Sequence, residues 1–554
     1  MTRVPASAPG EEPADAVFTG GILFNPFDCS WEETAFAVTG GVITGLGEYR
    51  GRETHDLGGG RVVPGLIDAH VHIESSLLVP TEYARAVLPH GTTTVIADPH
   101  EIANVAGVQG IEYILAEAAR TPLDILVMLP SCVPSAPLDP GGAILSAADL
   151  RQFLGRDRIL GLGEMMNVPG VLSGDPEIRE KLSLFRIRDG HAPGLSGKPL
   201  DAYILAGLQS DHECTALEEA REKLRRGMFI MIREGSTERN LGDLLPLVTP
   251  CTAPRCSLAT DDRHADLLAG AGHIDDCIRR AVELGLDPAL ALRMATLSPC
   301  ERFGLTDRGA LAPGRLADFC VLGEGREFRV KRTWKRGVPA GEIPYRAPAV
   351  LRTPFRVTLP GPDTLRIRGA GEARVIGLVP GQIATRQLRY PVRGEELPDT
   401  SRDILKIVAC DRYGRGGTGV GLVHGFGLSS GAIASSVSHD AHNIIATGVS
   451  DREIGKAIRE VAATDGGMVA VKGDEVTALP LGCAGLMSAL PYDEVAAALA
   501  RLDRVVASLG GIPHAFMHLS FLALPVIPEL RITPRGLFDA SAFRPVELFV
   551  GDGE

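Results

Sequence analysis

Val63-Pro64-Gly65-Leu66-Ile67-Asp68-Ala69-His70-Val71-His72 is an apolar run that ends in two histidines spaced i, i+2. In a strand, alternation puts His70 and His72 on one face. Two imidazoles at the end of a buried strand can grip one metal ion of the zinc or iron type. Taken alone, such a pair is more often two polar residues at a strand end. Further ionisable residues follow at the ends of other apolar runs: Asp98, His100 and Glu101; Glu164 in Gly161-Leu162-Gly163-Glu164; His191 in Asp189-Gly190-His191; His212 in Ser210-Asp211-His212-Glu213; Glu234; and Asp261 in Ala259-Thr260-Asp261-Asp262. Charged side chains are rarely buried unless paired or ligating. So many on one rim require a counter-charge, and four histidines, a glutamate and an aspartate suffice for two metals. Such metals lower the pKa of water towards 7 and supply a nucleophile, while a nearby acid moves the proton.

These residues must be positioned by a repeating scaffold. From residue 65 the chain alternates apolar strands and amphipathic helices. Eight strand candidates run from Gly65–Ile73 to Cys256–Thr260, with helices such as 108–119, 215–226 and 273–284 between them. Eight units without an early GxGxxG predict a (β/α)8 TIM-like barrel over 65–310, whose functional side chains sit at the carboxyl ends of its strands. Glycine-punctuated strands at 16–64 and 311–345 predict a small composite β domain, a β-sandwich, into which the barrel is inserted. Residues 1–15 read as disordered, 346–363 as a proline-rich linker and 364–554 as a further α/β (α+β) domain.

The chain has 554 residues, too many for one core, and a net charge of −13. The acidic balance argues against a nucleic-acid groove binder. No apolar run of 18 residues and no signal-peptide pattern occurs, so neither a membrane span nor secretion is expected. Ten scattered cysteines fit reduced thiols in a cytoplasmic protein. His72-Ile73-Glu74 matches the H-x-E half of the zinc nucleobase-deaminase signature, but the P-C-x-x-C half is missing.

The order and flanks of these residues resemble the amidohydrolase superfamily and, within it, the adenine deaminases. The resemblance rests on 64–76, on Ala97-Asp98-Pro99-His100-Glu101-Ile102-Ala103-Asn104-Val105, on Gly190-His191-Ala192-Pro193-Gly194-Leu195, on Ile232-Arg233-Glu234-Gly235-Ser236 and on Ser438-His439-Asp440-Ala441-His442-Asn443. It implies that His70 and His72 bind one metal and that His191 and His212 bind a second. It implies that Glu164 bridges them where many members use a carboxylated lysine, and that Asp261 binds metal or water and moves its proton. The metals would be manganese or iron, with zinc as a further option. The reaction would be attack of metal-activated hydroxide on C6 of adenine, giving hypoxanthine and ammonia in purine salvage. Glu234 is the candidate proton donor to the ring nitrogen, against a rim salt bridge with Arg233 or Arg239. Asp98, His100, Glu101, His439 and His442 are candidate lining residues. A homo-oligomer, dimer or larger, is expected. The competing readings are a cyclic-amide hydrolase of the dihydropyrimidine or hydantoin type, an enzyme for another aminopurine, and a catalytically silent scaffold.

Overall fold

The computed structural model describes residues 12–135, 141–323, 328–393 and 397–551. Most of the expected disordered stretch, 1–15, lies outside them. From Ala14 the chain is already a strand, Ala14–Asn25.

The barrel strands are β1 (Leu66–Val71), β2 (Thr92–Ala97), β3 (Asp124–Leu129), β4 (Ile159–Met165), β5 (Arg188–Gly190), β6 (Ser210–Asp211), β7 (Phe229–Arg233) and β8 (Cys256–Ala259). β1 to β5 pair in sequence order and in parallel, as do β6 to β8. The ring closes through Gln209 N–H to Arg188 O (3.3 Å) and Asp261 N–H to His70 O (3.0 Å). Nearly every strand residue is buried, as expected of parallel strands covered on both faces. Inside, Ala69, Ile96, Leu126, Met128, Phe229, Met231 and Ala259 fill the barrel. Their alternating neighbours, such as Val95, Ile125, Val127, Ile230 and Leu258, join the larger core shared with the helices. The pairing of β1 with β2 slips between Asp68 and Val71. Asp68 consequently turns to Thr260 N–H (3.2 Å) and to His273 Nε2 (3.0 Å). His273 is buried and also bonds Tyr83 and Thr92.

The chain before and after the barrel forms one eight-stranded sheet. Arg61–Pro64 pairs antiparallel with Phe319–Leu322, so the barrel leaves and re-enters this sheet at adjacent strands. Ile43 N–H to Arg315 O and Ala317 N–H to Gly41 O curl the sheet round Phe18, Phe36, Phe319 and Trp334, whose rings stack or meet edge to face.

Residues 340–361 are mostly irregular and run along the barrel helices, with Ile343 O accepting from Arg85 and Ala349 O from Tyr113. The last part is α+β: an eight-stranded sheet with one parallel pair, covered by Asp451–Ala463 on one side. Tyr492–Ser508, Ala515–Phe521 and a three-stranded sheet, 530–545, complete it. No helix among the described residues is long and apolar enough to cross a membrane.

Candidate metal centre and cavity

The carboxyl ends of the barrel strands converge on a cavity. β1 supplies His70 and His72, whose Nε2 atoms lie 3.1 Å apart. β4 supplies Glu164. Its Oε1 lies 3.2 Å from His72 Nε2, 3.2 Å from His100 Nδ1 and 3.9 Å from His70 Nε2. Its Oε2 lies 2.6 Å from His191 Nδ1 and 3.1 Å from His212 Nε2. One carboxylate thus has a different set of imidazoles at each oxygen.

Asp261 follows β8 in the left-handed region, with φ 55°. Its backbone ties β8 to β1 by donating to His70 O and accepting from His72 N–H at 3.1 Å. That link brings Asp261 Oδ1 to 3.1 Å from His72 Nε2 and 3.6 Å from His70 Nε2. Oδ2 is held by Arg233 Nη1 at 2.8 Å, and Arg233 also pairs with Glu213.

The outer contacts fix the ligand orientations. His72 Nδ1–H donates to Asp98 O at 2.8 Å, which leaves Nε2 with a lone pair in the neutral ring. Asp98 Oδ2 accepts the N–H of Glu164 at 2.9 Å. Gly163 makes this approach possible, because a Cβ there would sit 2.0 Å from Asp98 Oδ2. His191 N–H donates to Tyr203 Oη at 3.0 Å.

All six groups are buried, and both carboxylates are held well below their usual range. Burial opposes this shift, but His212 and His191 outweigh it at Glu164, and His72 with Arg233 outweighs it at Asp261. His70 is held well below its ordinary value by burial and by His212 and His72. Burial opposes it, but hydrogen bonds to Asp261 and Glu164 hold His72 well above its ordinary value, so its Nε2 faces those oxygens at 3.1–3.2 Å as a donor that a metal would replace, and His191 Nε2 is buried without a partner among the described residues. The donor set fits metal ions: His70, His72 and Glu164; Glu164, His191 and His212; and His70, His212 and Asp261 each converge closely enough to hold one.

The second-tier residues divide. His100 and Glu101 line the cavity, with His100 Nε2 3.2 Å from Glu101 Oε1. Asp98 lies beneath Glu164, outside the cavity lining. His439 and His442 arrive from the C-terminal part, and each bonds one oxygen of Glu101. Glu101, His439 and His442 could also hold a cation by proximity. However, Ser438 N–H donates to His442 Nδ1 at 3.2 Å, so the neutral ring carries its proton on Nε2 and donates it to Glu101. This trio is a hydrogen-bonded clamp between the two parts of the chain.

Glu234 does not line the cavity. Its carboxylate faces Arg280 Nε at 2.8 Å and Arg239 Nε at 4.0 Å on the helix side of the barrel, so the proton-donor expectation is replaced by a salt bridge there. Burial raises its pKa, which those arginines partly offset. Sequence reasoning missed Glu213, Arg233 and Asp262 as cavity residues, together with an apolar wall of Ile383, Phe521 and Leu524. Asp262 is pushed up to about 6 by burial and by Asp261.

Two family models match the chain: the Amidohydrolase family over residues 61–340 and the Adenine deaminase C-terminal domain over residues 382–544. An adenine deaminase of Methanoculleus marisnigri is 66% identical over 514 residues, covering 93% of this chain and 99% of that protein. One of Methanoregula boonei is 61% identical over 550 residues, 99% and 98% of the two chains. Adenine deaminase 2 of Carboxydothermus hydrogenoformans is 46% identical over 555 residues, 97% of each. With likeness of this extent across both the barrel and the part that closes it, the chain belongs to the adenine deaminase family.

Proposed function

We propose that the chain hydrolyses adenine to hypoxanthine and ammonia, using two divalent metal ions held by His70, His72, Glu164, His191, His212 and Asp261. The observation that carries the metal centre is Glu164, whose Oε1 faces His72, His100 and, farther off, His70, and whose Oε2 faces His191 and His212. The substrate reading is supported by relatives named adenine deaminase that align over nearly the whole chain. Bound there, such ions would act as Lewis acids and supply a water-derived nucleophile near neutral pH. The donor set is imidazole and carboxylate, which manganese, iron and zinc all accept.

The chain's own residues then hold and move protons. Asp261 Oδ1 accepts the proton of the attacking water and delivers it to the departing amine, while Arg233 fixes Oδ2. Asp262, a cavity carboxyl pushed up to about 6, donates to N1 of the ring and is reprotonated by the C6 hydroxyl as the carbonyl forms. Ile383, Phe521 and Leu524 exclude water from the apolar face of the base. None of the ten cysteines is in a disulfide, which supports a reducing compartment such as the cytoplasm, where a free base is recovered in purine salvage.

The test is the fall in adenine absorbance on conversion to hypoxanthine by enzyme loaded with manganese. Asp261→Asn is expected to lower kcat by about 10²–10⁴-fold, the usual worth of a positioned acid–base group. Turnover of a dihydropyrimidine with none of adenine would overturn this reading.

A further inference from the structure

His439 is the one imidazole of the cavity that the C-terminal part contributes among the lining residues. It is buried, and nothing in the metal centre uses it. Its Nδ1 bonds Glu101 Oε1, and the other oxygen of Glu101 is taken by His442 Nε2. Its ring stacks on Phe521 with centroids 4.5 Å apart and planes at 13°. A ring flip would break the Glu101 bond, so the orientation is fixed from two sides. The remaining nitrogen, Nε2, is buried and has no hydrogen-bond partner among the described residues. A buried ring nitrogen without a partner is costly unless a ligand supplies one.

We propose that His439 contacts the substrate, its Nε2 binding a ring nitrogen of the purine, N3 or N7. This rests on adenine being the substrate. N1 is committed to proton transfer, and in the common N9–H form N3 and N7 are the other lone pairs on the ring. Glu101, Asp262 and Asp440 surround the imidazole, and although burial opposes it they push His439 up to about 9, so that Nε2 presents a proton. The C-terminal part thereby reads the base, while the barrel carries out the chemistry. A preorganised, charge-assisted hydrogen bond of this kind is worth roughly 10- to 100-fold in binding.

The experiment uses the full chain loaded with manganese and compares adenine, 3-deazaadenine and 7-deazaadenine as ligands. In the wild type, one analogue is expected to bind roughly 10- to 100-fold more weakly than adenine. In His439→Ala, adenine should weaken by a similar factor, that analogue should weaken no further, and metal content should stay unchanged. If both analogues bind the wild type within about twofold of adenine, the inference is overturned, whether or not the variant folds. An unchanged KM in folded His439→Ala also overturns it. Failure of the metal-loaded wild type to bind or turn over adenine would instead overturn the proposed function.

Discussion

Lys223 is fully buried on the helix Leu217–Arg225, and its Nζ ties together the two strand ends that carry His191 and His212. It donates to Ala192 O at 2.6 Å and Glu219 Oε1 at 2.6 Å, and lies 3.1 Å from Asp211 Oδ2. Asp211 Oδ1 in turn accepts Ala192 N–H at 2.8 Å. Two estimates bound what this lysine contributes. Opposite charges 3.1 Å apart attract by about 5 kcal/mol at an effective dielectric of 20. Asp211 is pushed down to about 2, burial opposing and Lys223 with His212 prevailing, which corresponds to about 2.5 kcal/mol of favourable field. Lys223→Met is therefore expected to destabilise the barrel by about 2.5–5 kcal/mol, close to the usual cost of stranding one partner of a buried pair. In calorimetry the barrel transition should fall by roughly 5–20 °C. Because Asp211 has a depressed pKa, its contribution is complete above its unfolded value of about 4 and is lost as pH falls through about 2. The gap between wild type and variant should narrow over that window. The double variant Lys223→Met/Asp211→Asn should lose less than the two single variants combined, since no charge is then stranded. A Tm shift under about 2 °C for Lys223→Met, or strict additivity in the double variant, would refute the reasoning.

Gly163→Ala should place a Cβ against Asp98 Oδ2, displace the carboxylate that receives Glu164 N–H, and lower kcat about 10- to 100-fold, with metal content measured alongside. A variant with wild-type kcat and full metal would show that Asp98 is free to move. Arg531 is fully buried and donates to four carbonyls, Ile527 O, Phe521 O, Ile383 O and Pro528 O, at 2.7–2.8 Å. Two of these belong to the apolar wall, so Arg531→Met should raise KM for adenine roughly tenfold with a smaller change in kcat, and Arg531→Lys should raise it less. An unchanged KM would mean that the wall stands without the guanidinium.

Much of the site was legible because a barrel reduces three dimensions to strand order. Apolar runs ending in His70, His72, Glu164, His191, His212 and Asp261 needed only the rule that strand ends face one rim. The misreading of Glu234 shows what that rule omits. Phe229 and Met231 point into the barrel, so by alternation Arg233 also points inward and Glu234 turns to the helices. The signal was present in the apolar pattern of β7. Asp68 was hidden for the opposite reason: the register slip in β1 breaks alternation, and no local residue type announces it. The wall and the clamp were least legible. Glu101 and His439 are 338 residues apart, and no pattern within either segment specifies the partner.

That separation also orders events in time. A ribosome adding roughly 5–20 residues per second completes the barrel, by residue 310, about 6–26 s before it reaches His439. During that interval Glu101 has no His439 to bond, and the rim of acidic and imidazole groups is open to the surrounding solution. At the proposed metal centre, ions would reach their ligands most easily while the nascent chain is unfinished. The metal available at the site of synthesis, rather than the one with the highest affinity for the finished enzyme, would then be the one sealed in.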